Sequence, residues 1–140
     1  MSKAKILVID PDVKILYAFT TLLENEGFGC IAARTDGEAL RILRSEKPAA
    51  VFLDVSLPGY SGFGILKEIR RLAASLPVVI ITSHFTGKLK TQAAELGISD
   101  ILEKPLTVAQ LRQVLFHLTL TGPHDAAARR PPISPVNGTD

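Results

Sequence analysis

An α/β fold around a parallel sheet is predicted by two features of the sequence. Short apolar runs alternate with amphipathic stretches five times along the chain, which is the pattern of strands and helices wound in βα units. Several of the runs are almost continuously apolar, as strands covered by helices on both faces should be. With 46% apolar residues in 140, one core of ordinary size can hold the chain folded, and no second domain is required.

The strands read as KILVID at 5–10, GCIAA at 29–33, AVFLD at 50–54, PVVIIT at 77–82 and DILEK at 100–104. Between them lie the helices. Residues 12–26 place Ile15, Leu16, Phe19, Leu22 and Leu23 on one stripe, 36–46 do so with Ala39, Leu40 and Leu43, and 63–74 with Ile65, Leu66, Ile69 and Leu72. The fourth helix, near 87–96, has few large apolar groups in GKLKTQAAELG and is expected to be loosely held. Thr107 caps a fifth, in which Val108, Leu111, Val114, Leu115 and Leu118 face the sheet. Phe116 and Leu120 lie partly off that stripe and offer an apolar contact or a wider core face. From 121 the composition changes to TGPHDAAARRPPISPVNGTD, with four prolines, two glycines and nothing periodic to bury. The expected organisation is one domain over 1–120 and a tail or linker over 121–140.

Composition narrows the function classes. Sixteen Lys and Arg against fourteen Asp and Glu leave +2, and the basic residues are scattered, which argues against direct nucleic-acid binding by this chain. No helix-turn-helix pattern follows residue 120, so any DNA-binding or enzymatic output is expected outside this chain. The apolar run after MSKAK is broken by Asp10 and Asp12 before a signal or membrane segment could form, so a soluble, cytoplasmic protein is expected. Cys30 is the single cysteine, excludes an internal disulfide and reads as a small core residue.

Ligands of an open parallel sheet gather beyond the carboxyl ends of its strands. Here Asp10 and Asp12 follow the first strand, Asp54 ends the third, Thr82 and Ser83 the fourth, and Lys104 the fifth. Acids and one ammonium in a single crevice suit a hard divalent cation and a phosphoryl group. The stretch Asp10-Pro11-Asp12 reads in two ways: as a helix cap, with Asp as N-cap and Pro at the first helical position, or as an acidic pocket. His84, His117 and His124 lack metal-ligand spacing, and Gly59, Gly62 and Gly64 do not form a dinucleotide fingerprint.

The pieces ILVIDPD, VFLDVSLPGYSG, PVVIITS and ILEKP, in this order over about residues 4–120, resemble the receiver domains of two-component response regulators. The resemblance implies a flavodoxin-like, CheY-like (βα)5 fold: a doubly wound sheet of five parallel strands in the order 2-1-3-4-5. It implies Asp54 as phosphoacceptor, Asp10 and Asp12 as an acidic pocket for Mg²⁺ together with Asp54 and the carbonyl of Ser56, Thr82 as a hydroxyl turning towards the phosphoryl group, and Lys104 as its counter-charge. Lys104-Pro105 matches a step that is usually cis in the family, and Leu57-Pro58-Gly59 its loop after the phosphoacceptor. Ser56 and His84 sit where the family tunes the access of water.

The implied function is a phosphoacceptor, not an enzyme in its own right, loaded by a histidine kinase or phosphotransfer protein. The implied response is a change of partner binding, including a possible homodimer, through the face formed by the fourth helix, fifth strand and fifth helix. Two departures stand out. Pro11 replaces the usual second acid, and Ile101 replaces an aromatic three residues before the lysine. Both fit an alternative, a pseudo-receiver that binds a partner without phosphorylation. An aspartyl phosphatase is a third reading, against which Ser56 stands where such enzymes carry a second acid.

Overall fold

The computed structural model describes residues 3–55, 62–98 and 100–121. Five strands, β1 (Lys5–Ile9), β2 (Gly29–Ala33), β3 (Ala50–Asp54), β4 (Val78–Thr82) and β5 (Asp100–Glu103), form one parallel sheet in the order β2-β1-β3-β4-β5. The expected doubly wound order is therefore observed. Five helices alternate with them: α1 (Val13–Asn25), α2 (Asp36–Glu46), α3 (Gly62–Leu72), α4 (Gly87–Glu95) and α5 (Val108–Thr121).

Strand periodicity divides the core in two. Leu7, Ile9, Val51, Leu53, Val78, Ile80 and Ile101 point to the face covered by α2, α3 and α4. Ile6, Val8, Ala50, Phe52, Val79, Ile81 and Leu102 point to the face covered by α1 and α5, where the Phe19 ring lies 5.5 Å from that of Phe52. Every residue of β3 and β4 is buried, which explains their unbroken apolar runs. Arg112 of α5 reaches Glu26, the C-cap of α1, at 2.8 Å and ties the two helices of one face.

Hydroxyls start three of the helices. Thr35 accepts from the Glu38 N–H at 3.1 Å, Thr86 from the Leu89 N–H at 3.0 Å, and Thr107 from the Gln110 N–H at 3.0 Å. Gln110 answers by accepting the Thr107 N–H at 2.9 Å, a capping box that fixes where α5 begins. The apolar stripes are not buried along their whole length. Leu72, the last residue of α3, and Val108, the first of α5, are exposed. Phe116 is 61% exposed, and the side chain of Leu120 lies outside the described residues, as do residues 122–140 of the expected tail. Cys30 is half-buried beside Thr20, and burial raises its thiol pKa.

Candidate functional site

The parallel ladder fixes where the polar strand ends meet. Pairing continues one step past the strands: the Asp10 N–H donates to the Ala33 carbonyl at 3.0 Å, Val55 to Ile81 at 2.9 Å and Lys104 to Thr82 at 2.8 Å. Three neighbouring strands, β1, β3 and β4, thus end level with one another, and β5 delivers Lys104 beside them. Asp10, Asp54 and Thr82 are buried there, at 3%, 2% and 3% exposure.

Lys104 Nζ donates to Asp54 Oδ2 at 2.5 Å and stands 3.8 Å from Asp10 Oδ2. One ammonium therefore serves two buried carboxylates, and the cluster carries an excess of negative charge when both are ionised. Asp10 Oδ2 has no hydrogen-bond partner among the described residues. Burial, followed by the adjacent Asp54 carboxyl, pushes the Asp10 pKa from 3.8 up to about 6, against the opposing pull of the Asp12 N–H and the Lys104 charge. The Lys104–Pro105 peptide is cis, as the family resemblance implied.

The Asp10-Pro11-Asp12 question resolves into a division of labour. Asp12, not Asp10, is the N-cap of α1, accepting the Lys14 N–H at 2.9 Å, and the helix starts at Val13. Pro11 is consequently outside the helix and not its first residue. Asp10 turns inward, its Oδ1 accepting the Asp12 N–H at 2.8 Å. Asp12 itself is exposed, and among the described residues no three acidic, histidine or cysteine side chains gather as a metal-holding group. The acid pair able to take a divalent cation is Asp10 and Asp54. It supplies hard oxygen donors, of which Asp10 Oδ2 accepts no hydrogen bond among the described residues, and this suits Mg²⁺.

Thr82 lies at the end of β4 with its hydroxyl turned to the following loop: it donates to the His84 carbonyl at 3.1 Å and accepts the His84 N–H at 3.1 Å. In this arrangement the hydroxyl is spent on the loop and not directed at Asp54. Ile101 is fully buried in the core under α4. Ser56, and with it Leu57, Pro58 and Gly59, lies outside the described residues.

Two contributors had not been singled out from sequence. Arg34 Nε donates to the Pro11 carbonyl at 3.3 Å and braces the loop behind Asp10, while its own N–H is held by Glu38 at 2.7 Å. Glu103, paired in register with Thr82, lies 3.5 Å from the Phe85 N–H. Arg34 lies in no motif, and Glu103 lies in ILEKP without a role implied for it; the register of β1, β2, β4 and β5 makes them neighbours of the site.

An apolar groove of about 460 Å³ adjoins the cluster, lined by Ile15, Phe19 and Leu22 of α1, by Leu106 and Leu111, and by Lys104 itself. Among the described residues no helix is long and apolar enough to cross a membrane.

A doubly wound five-stranded sheet with an acid pair and a lysine at its carboxyl edge defines an open α/β domain with a charged crevice beyond its strand ends. The chain belongs to the response regulator receiver domain family of two-component systems, whose description it matches over residues 6–116. It is 31% identical over 129 residues to the phosphate regulon transcriptional regulatory protein PhoB of Pseudomonas aeruginosa, covering 88% of this chain and 55% of PhoB. It is 30% identical over 105 residues to protein PilH of the same organism, covering 74% of this chain and 87% of PilH. Among solved structures, the receiver domain of NtrX from Brucella abortus superposes with a TM-score of 0.76 at 32% identity, over 83% of this chain and 98% of that one. The chain spans about half or less of the length of several curated relatives it matches, from 55% down to 22%.

Proposed function

We propose that this domain, spanning 1–120 of the chain, accepts a phosphoryl group on the Asp54 carboxylate from a histidine kinase or phosphotransfer protein and changes its partner binding in response. The observation that carries this reading is the Lys104 ammonium 2.5 Å from a buried Asp54 carboxylate, with Asp10 next to both. A carboxylate and a phosphoryl group are both anionic, so their approach needs fixed positive charge in a site of low dielectric. Lys104 supplies it from a rigid strand end. In the transfer, an Asp54 oxygen forms the new bond to phosphorus, the donor's P–N bond breaks, and the imidazole keeps the electron pair. Lys104 then balances charge on the transferred group.

Asp10 and Asp54 would hold Mg²⁺, helped by the Ser56 carbonyl and by Asp12 where the loop allows. When bound, the ion supplies charge neutralisation of the phosphoryl oxygens. Asp10 keeps the pocket acidic and is itself oriented by the Asp12 N–H. Thr82 exchanges its bonds to His84 for one to the transferred group, which releases the β4–α4 loop. Ile101 has no ring to turn, so the change travels through this loop and α4. Ser56 and His84 tune how readily water hydrolyses the product.

The groove beside α1 shares Lys104 with the site, so a donor helix seated in it would present its imidazole close to Asp54. Exposed Phe116 supports a partner or second copy docking on the α4-β5-α5 face. The domain is a regulatory phosphoacceptor of the cytoplasm, without an enzymatic turnover of its own, and DNA binding or other output lies outside it.

Intact mass after incubation with acetyl phosphate and Mg²⁺ tests this. A gain of one phosphoryl group, absent in Asp54→Asn and without Mg²⁺, supports the reading. No gain with the intact protein refutes it and leaves an interaction module that works without phosphorylation.

A further inference from the structure

The two ends of α4 are held by different means. Its N-terminal end follows Ser83, His84 and Thr86, all exposed, and is anchored to the core by Leu89 and the half-buried Phe85. Its C-terminal end is gripped by one side chain of another helix. From the last turn of α3, Arg70 donates through Nε to the Leu96 carbonyl at 2.6 Å and through Nη2 to the Gly97 carbonyl at 2.9 Å. Through Nη1 it donates to the Leu76 carbonyl at 2.7 Å, with Ala73 at 3.5 Å.

The C-cap carbonyl of α4 and the one that follows it are thus held by one cationic fork, which also binds the segment leading into β4. Gly97 makes the geometry possible. At φ +67° it adopts a conformation that L side chains rarely take, and this turn lets two successive carbonyls meet one guanidinium. Below it, buried Ala93 and Ile98 close the same end, with the Ile98 N–H bonded to the Ala93 carbonyl at 3.1 Å. Arg71, the next residue, does none of this: it is exposed and pairs with Glu68 on the surface of α3.

We infer that Arg70 is a positioning residue that makes the C-terminal end of α4 a fixed pivot, so that rearrangement at Thr82–His84 swings the N-terminal end. This rests on the proposed phosphoryl chemistry only for the trigger, not for the tether. A nine-residue helix is ~13 Å long, so a tilt of ~10° about the pivot moves its first turn by ~2 Å.

Amide hydrogen exchange followed by NMR tests both parts. In the unmodified protein, Arg70→Gln speeds exchange at residues 94–98 by roughly tenfold or more, because charge-assisted bonds to two carbonyls are lost. Arg70→Lys, which keeps the charge without the fork, gives a smaller increase in the same segment, and Arg71→Gln gives none. After phosphorylation of the wild type, exchange rises at 86–90 and stays unchanged at 94–98, whereas in Arg70→Gln it rises at both. Phosphoryl uptake at Asp54 is the same in all variants. Unaltered protection at 94–98 in Arg70→Gln overturns the tether. Equal loosening of both ends in the phosphorylated wild type overturns the pivot. If Arg70→Gln fails to fold, Arg70→Lys decides the tether by the same criterion. A chain that takes up no phosphoryl group refutes the function proposed above, while the comparison of unmodified proteins still decides the tether.

Discussion

Replacing Asp10 with asparagine stabilises the folded protein at neutral pH and has no effect below about pH 4. Asp10 is 3% exposed, and its pKa is pushed from 3.8 to about 6, first by burial and then by the neighbouring Asp54 carboxyl. Between these values the folded form binds more protons than the unfolded form, so stability falls as pH rises through the window. Each pKa unit corresponds to ~1.4 kcal/mol, which puts the loss at about 3 kcal/mol once Asp10 is fully ionised.

Asparagine keeps an oxygen for the Asp12 N–H but carries no charge, so the variant escapes this loss. At roughly 3 °C per kcal/mol for a domain of this size, its Tm should exceed that of the wild type by about 9 °C at pH 7. The gap should close by pH 4. Thermal melts of both proteins at pH 4, 5, 6 and 7, without divalent metal, provide the assay. On the proposed metal site, adding Mg²⁺ narrows the gap at pH 7 by favouring the ionised acid pair of the wild type. A gap that is independent of pH, or a variant less stable at pH 7, refutes the argument from burial.

Other outcomes follow from the same geometry. Lys104→Met leaves Asp10 and Asp54 without their ammonium, so stability at pH 7 should fall by about 3 kcal/mol and recover in part on acidification as Asp10 protonates, measured by urea unfolding at pH 7 and 5. Thr107→Ala removes one half of the α5 capping box and should cost about 1 kcal/mol by urea unfolding, with phosphoryl uptake unchanged. Phe116→Ser should change stability by less than about 0.5 kcal/mol, since the ring is 61% exposed; sedimentation of the phosphorylated protein would then report whether the ring serves self-association.

Much of this was legible in the sequence because it depends on short-range patterns. The apolar runs of β1, β3 and β4 are unbroken since both faces of those strands are covered, and this alone separates a central parallel strand from an alternating one. Asp54, Thr82 and Lys104 were conspicuous as polar residues at strand ends, and the fold puts those ends side by side. Which acid of Asp10 and Asp12 caps the helix was not legible, because either could start α1 and only the inward turn of Asp10 decides it.

The exposure of Leu72 and Val108 was hidden for a related reason: an apolar stripe records which residues share a face, not how far burial extends to the terminal residues of the helix. Arg34 and Arg70 act through carbonyl oxygens 23 and 26 residues away. Any residue offers a carbonyl, so such bonds leave no trace in composition or spacing, and Arg70 was indistinguishable from Arg71 beside it.

The central claim is that Asp54, and no other acid of the pocket, becomes the acyl phosphate. Borohydride reduction of the phosphorylated protein converts an aspartyl phosphate to homoserine, and peptide mass spectrometry then locates it. Homoserine at residue 54 alone is the predicted result; homoserine at residue 10 or 12, or at no residue despite a confirmed mass gain, would contradict the account.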